Sequence, residues 1–151
     1  MICGLLAWYS LEFSVSLTQP YMDERKSAHI LVVDDDAANR EVYSLVLRHG
    51  GYSVESASDG KNGIRLLQSR TFDVVLTDML MPDIDGLALM MAIRSMQPKP
   101  VVIPMSGGGT HLSASQTLSV AVKMGGLAPL VKPFTREQLL ERVWGGAQYI
   151  D

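Results

Sequence analysis

Val74-Val75-Leu76-Thr77-Asp78-Met79-Leu80-Met81-Pro82-Asp83-Ile84-Asp85-Gly86 reads as a buried strand, an aspartate at its end and a proline-bearing turn into a helix. Val74, Val75 and Leu76 are apolar and mostly β-branched, as a parallel strand covered on both faces requires. Asp78 falls where that strand ends. In open parallel sheets, ligand chemistry gathers at the carboxyl ends of the strands. A carboxylate there is expected to be presented to ligand rather than buried.

Working outward, the same strand-then-helix pattern recurs on both sides. Ile30-Leu31-Val32-Val33 is an apolar run ending in Asp34-Asp35-Asp36. Val42, Leu45 and Val46 fall on one helical face, and Gly50-Gly51 is a stop signal. Ser53 to Ala57 alternates as a second strand. Asp59-Gly60 turns into a helix carrying Ile64, Leu66 and Leu67. Beyond the central stretch, Leu87, Met90 and Met91 give a helix an apolar stripe, widened by Leu89 and Ile93. Val101 to Met105 is a fourth strand, with Ser106-Gly107-Gly108-Gly109 after it. Leu112 to Met124 is a weaker helix, Pro129 to Lys132 a short fifth strand, and Thr135 caps a last helix with Leu139, Leu140 and Val143. Strand and helix alternate five times, which predicts a doubly wound α/β fold with a five-stranded parallel sheet and helices on both faces. Pro104 argues back, because a proline removes a ladder donor from an interior strand.

Bulk composition narrows the function classes. The 151 residues are 47% hydrophobic and 19% charged, as in a globular domain. A net charge of −3 without a run of Lys or Arg gives no electrostatic case for direct nucleic-acid binding. Cys3 is the one cysteine, so an internal disulfide or cysteine metal cluster is excluded. His29, His49 and His111 lack metal-ligand spacing. The apolar patch from Ile2 to Tyr9 has no positive leader before it and is broken by Ser10, Glu12, Ser14 and Ser16, so neither a secretory signal nor a membrane span is expected. Residues 1–27 read as a disordered or weakly docked leader, with Met22 a candidate start. Residues 28–148 read as one domain, with no output domain following.

The strand ends carry matching chemistry. Asp34, Asp35 and Asp36 follow the first strand, Asp78 the third, Ser106 the fourth and Lys132 the fifth; Ser58 and Asp59 follow the second. Carboxylates from two strands repel unless a cation sits among them. A hard divalent cation with oxygen ligands suits them, and Mg²⁺ leaves room for a phosphate oxygen. Lys132 and the Ser106 hydroxyl suit the other oxygens of a phosphoryl group. The chemistry suggested is phosphoryl transfer to a carboxylate.

The runs Ile30 to Asp36, Leu76 to Gly86, Val101 to Gly107 and Leu130 to Phe134, in this order, resemble the receiver domain of two-component response regulators. The resemblance covers about Ile30 to Val143. It implies the flavodoxin-like strand order 2-1-3-4-5 and a cytoplasmic signalling module rather than an enzyme in the usual sense. It implies Asp78 as phosphoacceptor, and a Mg²⁺ site formed by Asp34, Asp35, Asp78 and the backbone carbonyl of Leu80, with Asp35 binding directly and Asp34 through water. Ser106 and Lys132 become the phosphate-binding and switch residues, the Lys132–Pro133 peptide is expected to be cis, and Asp36 starts the helix as a cap. The implied donor is a sensor histidine kinase or histidine phosphotransfer protein, and the implied target a downstream protein. The sequence departs from the family at Pro129, where an aromatic switch residue usually stands. Signalling is then expected to run through the Ser106–Thr110 loop and the helix after it. Two other readings stand beside this one. One is a pseudo-receiver regulated without phosphate. The other is a haloacid-dehalogenase-like phosphatase using Asp83-Ile84-Asp85-Gly86, which would need a strand running directly into Asp83.

Overall fold

The computed structural model of the protein describes residues 28–81, 86–107, 119 and 121–149. Its elements are β1 (His29–Val33), α1 (Ala37–His49), β2 (Ser53–Ala57), α2 (Gly60–Ser69), β3 (Val74–Asp78), α3 (Gly86–Ile93), β4 (Val101–Gly107), β5 (Leu130–Lys132) and α4 (Arg136–Ala147). The five strands form one sheet in the order β2-β1-β3-β4-β5, with every neighbouring pair parallel. The expected doubly wound fold and strand order are therefore those observed. The leader at residues 1–27, the turn at 82–85 and most of the Leu112–Met124 helix lie outside the described residues, although residues 121–123 are helical.

Alternation along the strands divides the core in two. Ile30, Val32, Val74, Leu76, Ile103, Met105 and Leu130 pack on one face with Leu47 of α1 and Leu139, Val143 and Ala147 of α4. Leu31, Val33, Val75 and Val102 pack on the other face with Leu89, Met90 and Ile93 of α3. Ile64, Leu66 and Leu67 of α2 lie against that second cluster. Both faces of β3 are covered and all five of its residues are buried, which is why its sequence is a continuous apolar run.

Helix ends follow local chemistry. The Asp36 carboxylate accepts from the Asn39 amide at 2.9 Å, Asp59 accepts from the Asn62 amide at 2.7 Å, and Thr135 with Gln138 forms a capping box on α4. Each satisfies N–H groups that a helix start leaves unpaired. Gly51, at φ 91°, lets the chain leave α1 in the left-handed region. The Lys132–Pro133 peptide is cis, as expected, and so is Gln97–Pro98.

The buried faces of two helices differ from expectation. On α1, Val42 and Leu45 are 54% and 47% exposed, whereas Tyr43, Val46 and Leu47 pack on the core. The helix is thus turned by about one residue, roughly 100°, from the stripe its sequence suggests. The turn places Ser44 inward, and its hydroxyl stays satisfied by donating to the Arg40 carbonyl at 2.7 Å. On α3, Met91 is 64% exposed while Leu89, Met90 and Ile93 are buried. That helix is apolar on nearly every side, so composition alone could not choose its inner face.

Pro104 is accommodated inside β4. The Val101 amide donates to Asp73 and the Met79 amide to the Met105 carbonyl, so the odd-numbered peptides of β4 face β3. The Pro104 nitrogen consequently faces the β5 side, where the ladder begins only at Met105–Leu130. Just before that, the Ala128 carbonyl accepts from the Arg142 guanidinium of α4. A side chain supplies a donor where the strand has none. With no N–H at Pro104 to pair with the Ala128 carbonyl, the β4–β5 ladder and β5 start at Leu130 rather than at Pro129.

Candidate functional site

Register brings the charged residues to one edge. Val33 lies beside Thr77, so the residues after them, Asp34 and Asp78, stand side by side at the carboxyl end of the sheet. Asp78 pairs with Met105, which puts Ser106 one residue beyond it on the next strand. Side-chain alternation then sorts these groups by face. Asp34, Asp78 and Lys132 continue the rows Ile30–Val32, Val74–Leu76 and Leu130 on the α1/α4 side. Ser106 has the opposite parity and is buried, at 2% exposure.

Lys132 closes the site. β5 stands two strand spacings, roughly 10 Å, from β3, and the four-carbon stem of a lysine can cross that gap. Its Nζ donates to Asp34 Oδ2 at 2.8 Å and to Asp78 Oδ2 at 2.8 Å. The other oxygens are held by backbone. The Asp36 amide donates to Asp34 Oδ1 at 2.9 Å, and the Leu80 amide donates to Asp78 Oδ1 at 2.9 Å. The Arg40 guanidinium donates to the Asp34 carbonyl at 2.8 Å, tying the acidic loop to α1. The Leu80 side chain is 49% exposed beside the site.

Asp78 is not the solvent-presented carboxylate its position suggests. It is 7% exposed and Asp34 is 0% exposed; Asp35 alone of the three acidic groups faces solvent. The reason is Lys132, which supplies the countercharge that burial of two carboxylates needs. Burial raises the Asp34 carboxyl above its ordinary pKa and outweighs the hydrogen bonds from Lys132 and the Asp36 amide. For Lys132, burial pulls the ammonium down, but the hydrogen bonds and attraction of Asp34 and Asp78 together prevail and its pKa is raised. Burial also raises the Tyr43 phenol.

The donor set fits a hard cation. Asp34, Asp35 and Asp78 each offer an oxygen, and these atoms lie within 4.8 Å of one another. Mg²⁺ is bound through a small number of carboxylate oxygens, with phosphate and water completing its shell. The sequence had singled out Asp34, Asp35, Asp78 and Lys132, and the structure brings them together; Ser106 stands at the same edge. Asp83, Asp85, His111 and the residues of the glycine-rich loop from Gly108 onward lie outside the described residues. Arg40 and Tyr43 went unmarked in the sequence reading, and Phe134 entered it only as the end of a motif. An arginine one turn after an aspartate cap is a weak signal, and nothing in the linear sequence links Tyr43 to Lys132.

The response regulator receiver domain family matches residues 30–144. This chain belongs to that family. The receiver domain is 36% identical over 115 residues to Transcription factor SKN7 of Saccharomyces cerevisiae, covering 76% of this chain and 18% of that protein. It is 34% identical over 125 residues to the transcriptional regulatory protein ZraR of Escherichia coli, covering 81% of this chain and 27% of that protein. The chain thus spans about a fifth to a quarter of the length of these curated relatives. Among solved structures, the receiver domain of the Francisella response regulator 1452 superposes with a TM-score of 0.72 at 26% identity, over 83% of this chain and 100% of that one. A receiver domain from Clostridium thermocellum gives 0.73 at 29% identity, over 80% of this chain and 94% of that one. Receiver domains work in two-component signalling, where they bind Mg²⁺ in an acidic pocket and interact with histidine kinases and downstream effectors. No helix among the described residues is long and apolar enough to cross a membrane.

Proposed function

We propose that this receiver domain accepts a phosphoryl group on Asp78 from a phosphohistidine of a sensor kinase or phosphotransfer protein, and signals through a protein partner. The observation that carries this reading is the Lys132 ammonium held 2.8 Å from both Asp34 and Asp78 beside an oxygen cluster that suits Mg²⁺. An Asp78 carboxylate oxygen attacks phosphorus, the bond to the imidazole nitrogen breaks, and an acyl phosphate forms. Lys132 can leave the carboxylates for a phosphoryl oxygen, and the Ser106 hydroxyl is the candidate to meet another. Mg²⁺, held by Asp34, Asp35, Asp78 and the Leu80 carbonyl, would neutralise charge on the group being transferred. The chain's own part is positioning and charge, not turnover of a released substrate, so it is no enzyme in the usual sense. The receiver unit is assigned to residues 28–148.

Two observations weigh against the other readings. β3 ends at Asp78, five residues before Asp83, so no strand runs directly into the dehalogenase-like motif. Retention of every charged group at the site speaks against a receiver regulated without phosphate. Pro129 has no aromatic side chain to swing inward, so the reading locates switching in the Ser106–Thr110 loop and the segment after it. A Cβ at Gly107 would meet nothing within 4 Å among the described residues, which gives the start of that loop room to move.

The test is incubation with acetyl phosphate and Mg²⁺ followed by intact mass, for wild type and Asp78→Asn. Gain of one phosphoryl group by wild type alone supports the assignment. Gain by both proteins means another side chain is modified. No gain by either points to a binding module regulated without phosphate.

A further inference from the structure

Lys132 is held by more than its two carboxylates. Its Nζ lies 5.8 Å from the centre of the Tyr43 ring. That ring packs on Phe134, with centroids 5.0 Å apart and planes at 31°. Tyr43 comes from α1 and Phe134 from the segment after β5, and both rest on the α1/α4 core. The lysine therefore has carboxylates on one side and an aromatic wall on another, and only 16% of its side chain is exposed.

The physics of that wall is specific. A lysine stem has four rotatable bonds, and its ammonium is a compact, strongly hydrated charge. Without cover it exchanges carboxylate contacts for water readily. A ring face within about 6 Å attracts an ammonium through the quadrupole. It also keeps water off that side without offering an acceptor strong enough to draw the ammonium from Asp34 and Asp78. An aliphatic side chain of similar size would give the packing without the attraction.

We propose that Tyr43 is a positioning residue for phosphoryl acceptance: its ring face, backed by Phe134, holds the Lys132 ammonium on the Asp34–Asp78 pair. The kinetic consequence rests on the phosphoacceptor reading above, whereas the placement of Lys132 does not. In this role Tyr43 acts through the lysine and not on the phosphoryl group. The hydroxyl takes no part, so phenylalanine substitutes for tyrosine and leucine does not.

The experiment uses the full chain as wild type, Tyr43→Phe and Tyr43→Leu, with two readouts. One is the rate of phosphorylation by acetyl phosphate at fixed Mg²⁺, followed by intact mass. The other is the ¹⁵Nζ–¹H signal of Lys132 in the unphosphorylated protein, identified by its loss in Lys132→Met. Leucine is a good helix former, so α1 persists in Tyr43→Leu, and a dispersed amide spectrum verifies this. The expected result is a fall in rate of about two- to fivefold in Tyr43→Leu, with the Lys132 signal broadened by exchange with water, and rescue of both in Tyr43→Phe. Unchanged rate and signal in Tyr43→Leu overturn the proposal, as does a Tyr43→Phe protein that behaves like Tyr43→Leu. A broadened signal with an unchanged rate overturns the role in acceptance. If wild type itself gains no phosphoryl group, the phosphoacceptor reading fails, and the Lys132 signal alone decides whether the ring places the lysine.

Discussion

At the scale of single residues, the site is a balance between two buried carboxylates and one ammonium. Asp34 is fully buried and touches Lys132, so removing the ammonium leaves a charge without compensation. Lys132→Met is expected to cost about 3 kcal/mol at neutral pH, measured by urea unfolding. The sign of its pH dependence follows from the shifts. The folded pKa of Lys132 is raised, so its contribution is present in full below its ordinary pKa of about 10.4 and is lost as pH rises through the folded value. The folded pKa of Asp34 is also raised, so the folded state favours its proton. That contribution is greatest at low pH and is lost as pH rises through the folded pKa. Without Lys132 the Asp34 shift grows, and the stability gap between variant and wild type narrows as pH falls toward the carboxylate range. A gap that stays constant from pH 7 to pH 4 would count against the Lys132–Asp34 account. Sequence reading found these partners by type and spacing but misjudged Asp78, expecting exposure where a distant lysine permits burial.

At the scale of elements, close approach of backbone decides which positions tolerate change. A Cβ on Gly86 would collide with the Asp78 carbonyl oxygen and lie 2.9 Å from Met79 Cα. These are backbone atoms and cannot turn aside as a side chain would. Gly86→Ala is expected to push α3 away from the end of β3 and to lose about 2 kcal/mol or more. Gly107→Ala, whose added methyl meets nothing within 4 Å among the described residues, should change stability by no more than about 0.5 kcal/mol. Thermal unfolding of the two variants side by side checks both expectations, and equal losses would refute the crowding argument. The helix caps at Asp36 and Thr135 were legible because capping is a contact between near neighbours. The inner faces of α1 and α3 were not, because several rotations bury apolar surface almost equally well. Contact with β1, β2 and α4 selects the inner face of α1, and contact with α2 and the sheet selects that of α3.

At the scale of the whole molecule, the site joins the ends of four strands, so a cation bound there couples to global folding. Asp34, Asp35 and Asp78 converge only when β1 and β3 are paired, and the unfolded chain has no such site. Mg²⁺ should therefore raise the urea midpoint, reaching about 2.7 kcal/mol of added stability at a hundredfold excess over its dissociation constant. Asp35→Asn should abolish most of this increase and leave basal stability little changed, since Asp35 is exposed. Equal Mg²⁺ dependence in both proteins would place the cation elsewhere. The same convergence explains why the Tyr43 ring matters to Lys132 although α1 and β5 lie far apart in the chain.

The sequence by itself determined the alternation of strand and helix and that Asp34, Asp35, Asp78, Ser106 and Lys132 fall at the carboxyl ends of the strands. These follow from local physics: apolar period, capping, turn chemistry and the rule that ligand chemistry collects at strand ends. Tertiary structure decided what those residues do to one another. Parity and register put Asp34, Asp78 and Lys132 on the α1/α4 face, the lysine bridged two carboxylates and let them be buried, and the turn of α1 brought Tyr43 onto the lysine. It also decided how Pro104 is tolerated, through a guanidinium from α4. Each of these depends on contacts between segments tens of residues apart, and a pattern read along the chain holds no distance between such segments.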